Sequence, residues 1–162
     1  MDYQGYKTII LEQMKSVLKP DGFHKSGSTF SASKNDVVLF VQLQSSTKTS
    51  HTALVATINL GIVSLVILER EGIKSKPSIL DAHWNERIGF LLPERLDKWR
   101  EVKNQGEANQ AGQDITQILN SQALPLLNSL SSTKNLVALW QTGRSPGLIN
   151  FQREKFLALV TK

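Results

Sequence analysis

Side chains able to do chemistry concentrate between Asp81 and Arg100, DAHWNERIGFLLPERLDKWR, a stretch holding two of the three tryptophans, one of the three histidines and closely mixed charge. Side chains alternate along an extended strand, so residues 83–90 place Trp84, Glu86, Ile88 and Phe90 on one face and His83, Asn85, Arg87 and Gly89 on the other. The first face reads as core and the second as polar surface. Glu86 is the odd member of the inner face, because a carboxylate left unpaired among apolar groups is costly. It needs an ion-pair partner or a strand end that reaches water; otherwise it is a raised-pKa acid or a ligand-binding carboxylate. The opposite face combines His83, Asn85 and Arg87 with Gln42, Gln44, Thr57 and Asn59 if the strands pair as their patterns suggest. That gives either a continuous polar surface that binds a partner through hydrogen bonds or the solvated side of a half-buried sheet. Trp84, Trp99 and Trp140 are core anchors before they are recognition residues.

Other chemistries find little support. His24, His51 and His83 form no pair at metal-binding spacing, and His83 and Glu86, three apart on a strand, point to opposite sides. With no cysteine, the chain has no disulfide framework, thiolate zinc site or cysteine nucleophile. No G-x-S-x-G elbow occurs, and Gly72-Ile73-Lys74-Ser75 lacks the upstream glycine of a phosphate loop. The expected catalytic, metal and cofactor assignments are therefore none.

Size and charge set wider bounds. A chain of 162 residues, 40% hydrophobic and 20% charged, is expected to form one domain without a staple, with a sheet core over about 1–100 and a helical part over about 113–162. The net charge of +5 is spread thinly: 13 basic and 10 acidic residues lie in 1–100, and 6 and 4 in 101–162. A nucleic-acid partner is not expected, since such modules gather their charge on one face. The opening residues, MDYQGYKTIILEQMK, do not read as a secretory signal. The most apolar window, 53–68, is too short and polar to cross a bilayer. The expectation is a cytoplasmic protein without a membrane partner, its oligomeric state open.

The elements that must position these residues follow from periodicity. Tyr3, Tyr6, Ile10, Met14, Val17 and Leu18 make one stripe of a helix that stops at Lys19-Pro20-Asp21-Gly22. Residues 28–33 and 36–45 read as a hairpin, and 51–62 as a third strand. Residues 63–71 are open between strand and short helix, and 72–77 form a loop. The fourth strand, 83–90, is expected to pair antiparallel with the third. Beyond Pro93, residues 95–113 read as a turn and a loose connection. Asp114 is expected to cap a helix beginning at Ile115, Pro125 to interrupt it or open a new turn, Ser131 to Thr133 to cap a helix through Trp140, and Ser145-Pro146 to begin the last one. The fold class is α+β: an N-terminal helix, an antiparallel sheet of about four strands and C-terminal helices packed against it.

The order of GFHKSGSTF after the first helix, a long apolar strand, INLGI, HWNERIGFLLP and DKW resembles the domain of unknown function 4304 family of bacterial proteins, over roughly residues 5–130. Phe23, Lys25, Asn59, Leu60, Gly61, Trp84, Arg87, Ile88 and Trp99 stand at matching positions, whereas Arg100 occupies the place of a common second tryptophan. The resemblance implies the fold and carries no catalytic signature; small domains of this kind occur among toxin-immunity genes. The leading expectation is a non-enzymatic interaction domain, of an immunity-like type with a protein partner, using Gln42, Gln44, Asn59 and the segment His83, Trp84, Asn85, Glu86, Arg87. The alternative is a hydrolase or nucleic-acid-processing enzyme with His83, Glu86 and Arg87 in one cleft.

Overall fold

A computed structural model describes residues 1–161 and shows the α+β arrangement. Helix α1, Tyr3–Leu18, starts where the Asp2 carboxylate accepts the Gly5 N–H, and it buries Tyr6, Ile10, Leu11, Met14 and Leu18. A 3-10 turn at Lys19–Asp21 ends it, and Gly22 follows at φ +92°, a left-handed geometry that glycine adopts without strain.

Six antiparallel strands then build the sheet: β1 (His24–Ser26), β2 (Thr29–Lys34), β3 (Val37–Ser45), β4 (Leu54–Ser64), β5 (Trp84–Arg87) and β6 (Arg100–Val102). Their order is β1-β2-β3-β4-β5, with β6 beside the other end of β4. Val37, Leu39, Val41 and Leu43 of β3 and Leu54, Ala56, Ile58, Leu60 and Ile62 of β4 face the main core, which α1 and the later helices cover. Across the sheet, Val38, Phe40 and Val63 make a smaller apolar cluster with Leu68, against which Ile79 and Ala82 pack.

The ambiguous stretch after Gly61 is both strand and helix. β4 runs to Ser64, whose hydroxyl accepts the Ile67 N–H and starts helix α2, Leu65–Arg70. Ser64 is fully buried, and its N–H and hydroxyl both find partners: the N–H donates to His83 Nδ1 at 2.9 Å, and Oγ lies 2.7 Å from Thr133 Oγ1. The hairpin turn joins the same junction, since Asp36 accepts the Leu65 N–H with its carbonyl and the Thr133 N–H with its carboxylate.

Two sequence expectations are corrected. The strand expected over 83–90 is extended only at Trp84–Arg87, and Ile88–Leu91 form a 3-10 turn. There the backbone doubles back so closely that a Cβ on Gly89 would stand 2.2 Å from the Leu96 carbonyl oxygen. Residues 105–118, expected to belong mostly to a loose connection, form helix α3, with Asp114 inside it instead of capping it. Asn104 is the cap, accepting the Glu107 N–H, while the Glu107 carboxylate accepts from Lys103 N–H. The stripe of α3 is small, with Ala108, Ala111 and Gly112 letting it lie close along α1.

A π-helical segment, Leu119–Ala123, leads into α4, Leu124–Ser129, with Pro125 in its first turn. Ser132 caps α5, Thr133–Gln141, as expected, and α6 spans Asn150–Val160, several residues later than Ser145-Pro146 suggested. Among the described residues no helix is long and apolar enough to cross a membrane.

Ala108 is completely buried between two helices. Ala108→Leu should therefore cost about 1–3 kcal/mol through overpacking, read as a lower urea midpoint. His83 gives a pH prediction. Its Nδ1 accepts a backbone N–H, so the proton sits on Nε2, 3.4 Å from Glu71 Oε1. Burial holds its pKa below the ordinary 6.5, although Glu71 and Asp81 pull it back up. The unfolded chain then binds this proton first as pH falls below 6.5, so His83 stabilises the fold above that pH and its contribution is lost below it. Urea midpoints of wild type and His83→Asn should differ most near neutral pH and converge as acid is added.

Candidate functional site

The register aligns Thr29, Gln42, Asn59 and Arg87 in one row across β2, β3, β4 and β5, on the sheet face opposite the main core. Side chains in such a row stand within reach of one another and pair across strands. Gln42 Nε2 donates to Thr29 Oγ1 at 3.1 Å, and Asn59 Nδ2 donates to Gln42 Oε1 at 3.3 Å and to Gln44 Oε1 at 2.7 Å. At the end of the row the Arg87 guanidinium donates to Asp97 and lies over the Trp99 ring, 5.1 Å from its centroid. Trp99 Nε1 donates to the same Asp97 oxygen at 3.4 Å, so one carboxylate orients both side chains.

The exposed Asn85 adjoins this row, opposite Gly61. A Cβ on Gly61 would meet Ile79 Cγ1 at 3.0 Å and Ala82 Cβ at 3.3 Å, so its bare backbone lets the 79–82 turn settle on the sheet. That turn covers only part of the face. A cleft of about 400 Å³, lined by Gln42, Gln44, Asn59, Asn85 and Arg87, stays open beside it. Leu80 stands on its rim with 93% of its surface exposed, a large apolar side chain without a covering neighbour.

Not all of the expected residues meet here. Gln42, Gln44, Asn59, Asn85 and Arg87 are brought together. Thr57 points to this side, but it is buried and its hydroxyl donates to the Lys98 carbonyl at 2.8 Å. Trp84 lies fully inside, as the alternation requires. His83 is a correction: it is 2% exposed, with its ring edge against Phe156 of α6, and both nitrogens face Ser64 and Glu71. The polar face ends at Asn85 because α2 and α6 close over the residue before β5.

Glu86 lies on the inner side, opposite Leu60, where burial pushes its pKa up and the positive charges of Arg95 and Arg144 pull it partly back. A shared reacting centre for His83, Glu86 and Arg87 is therefore not assembled: the histidine is buried and engaged, the carboxylate faces inward and the guanidinium is tied to Asp97 on the outer face. No group of three His, Asp or Glu residues among those described is placed to hold a metal ion. Sequence reasoning missed Thr29, Leu80, Asp97, Arg95 and Arg144. Thr29 was legible from the alternation of β2, whereas the other four lie on turns and loops whose direction no periodicity reports.

A family model described as Domain of unknown function (DUF4304) matches residues 14–129, a span that contains all six strands and the whole carboxamide row. No curated protein and no solved structure matches the chain. Positions that carry the resemblance divide between core residues such as Phe23, Leu60, Trp84 and Ile88 and the outer-face group Asn59, Arg87 and Trp99. With well over half of its length matched, the chain belongs to the DUF4304 family.

Proposed function

We propose that the protein is a non-enzymatic binding domain that docks a protein partner on the outer face of its sheet. One observation carries this reading: the hydrogen-bonded row Thr29, Gln42, Asn59, with Gln44 and Arg87, is left uncovered beside the exposed Leu80. The carboxamides hold one another in fixed orientations and keep further donor and acceptor capacity for groups arriving from outside. Leu80 supplies the apolar contact that a purely polar patch lacks, and an apolar anchor flanked by oriented polar groups is the usual anatomy of a protein interface. A bacterial cytoplasmic setting and an immunity-like role, in which docking neutralises a toxin, are the specific form of this reading to test first.

The test compares wild type with Leu80→Asp, Gln44→Arg and Arg87→Ala as affinity baits, followed by titration of purified partner. A protein retained by wild type should bind Leu80→Asp and Gln44→Arg at least about tenfold more weakly, the scale of losing one interface anchor. Recovery of the bait alone, or a partner held equally by all variants, would overturn the proposal. Thermal midpoints of the first two variants should stay close to wild type, since Leu80 is exposed and Gln44 half-exposed.

A further inference from the structure

The other side of β5 carries a second cleft, which shares Glu86 and Phe90 with the outer-face cleft and otherwise has its own lining. It holds about 660 Å³, within the size range of small-molecule sites, and Trp84, Leu126, Leu130 and Leu139 give it an apolar floor. Three charged side chains line it: Glu86 from β5, Arg95 from the loop after the 3-10 turn, and Arg144 from the loop between α5 and α6. Each is placed by a distinct piece of backbone. Arg95 has φ +49°, a left-handed conformation that costs a non-glycine residue energy and is held by the fold around it. The Arg144 loop is fastened to the strand, since Asn85 N–H donates to the Pro146 carbonyl at 3.3 Å and Gly147, at φ +79°, presses against the Asn85 side chain.

We infer that this cleft binds a small organic acid, with its carboxylate between Arg95 and Arg144 and its aliphatic or aromatic body on Trp84 and the leucines. Both guanidiniums are exposed, and among the described residues neither forms an ion pair, so their planar forks are free to grip a carboxylate. Two cations against one anion leave a single positive charge, which a monoanion balances and a neutral or cationic ligand does not. The apolar floor adds the second requirement, a hydrocarbon body.

Glu86 makes binding depend on pH. A second carboxylate arriving nearby disfavours its charged form, as burial already does, so a charged Glu86 weakens binding of the acid. The charged groups facing it are Arg95 and Arg144; the remaining polar lining, Gln122, Ser129 and Ser145, does not titrate. Affinity therefore rises as pH falls toward the range in which Glu86 protonates, while the ligand itself stays ionised.

Calorimetric titration of the full chain with hexanoate and phenylacetate tests this, with hexanol, hexylamine and acetate as controls. The two acids should bind saturably, and more tightly as pH is lowered from about 8 for as long as the ligand carboxylate itself stays ionised. Arg95→Ala and Arg144→Ala should each weaken binding about tenfold, the scale of a lost charge-assisted hydrogen bond, with unchanged thermal midpoints because both side chains are exposed. Glu86→Gln should still bind but lose the pH dependence. Hexanol binding as tightly as hexanoate, no saturable binding by either acid, or full affinity in the double arginine variant would overturn the site. Leu80→Asp should leave acid binding intact, so failure here is distinguishable from failure of the docking face.

Discussion

The architecture hangs on the buried polar junction at the end of β4. Ser64 ends the longest strand, starts α2, meets Thr133 of α5 and receives the imidazole of His83 just before β5. Polar groups withdrawn from water are costly unless each finds a partner. Here Ser64 of β4 and its three partners come from four separate parts of the chain, so the hydrogen bonds fix the relative placement of the sheet, α2, α5 and the strand that carries Glu86 and Arg87. An apolar contact at the same place would tolerate sliding; a set of directional bonds does not.

That placement explains how a four-residue strand presents two unlike surfaces. β5 is held to β4 by a short register and to the α5–α6 loop by Asn85, and alternation then sends Asn85 and Arg87 outward and Trp84 and Glu86 inward. The outer group joins a row that β2, β3 and β4 had already begun. The inner group meets arginines supplied by loops. Neither arrangement requires more than a sheet period of two and the turns that close on it.

Much of this was readable from residue order. The helical stripe from Tyr3 to Leu18, the apolar faces of β3 and β4, the carboxamide row and the inward placement of Glu86 follow from local periodicity, which is a property of neighbouring residues. His83 was misplaced because its burial depends on Glu71 and Phe156, residues distant in sequence that fold over it. Most of helix α3 was missed because Gly106, Asn109, Gly112 and Asp114 lower its intrinsic helix propensity, while its stability comes from the close fit of Ala108 and Gly112 against α1, a tertiary effect. The two arginines around Glu86 could not be read for the same reason: loops carry charge without a period.

Both margins of the sheet are poorly suited to growth. At one margin β1 has only three residues, all exposed. At the other, the Arg144–Gly147 loop already occupies the outward backbone of β5 at Asn85. Open margins invite pairing with a foreign strand, and their shortness or coverage discourages both polymerisation and recognition by β-augmentation. Under the proposed docking role, selectivity then resides in what side chains display, and drift in a handful of surface positions would redirect it without disturbing how the chain folds.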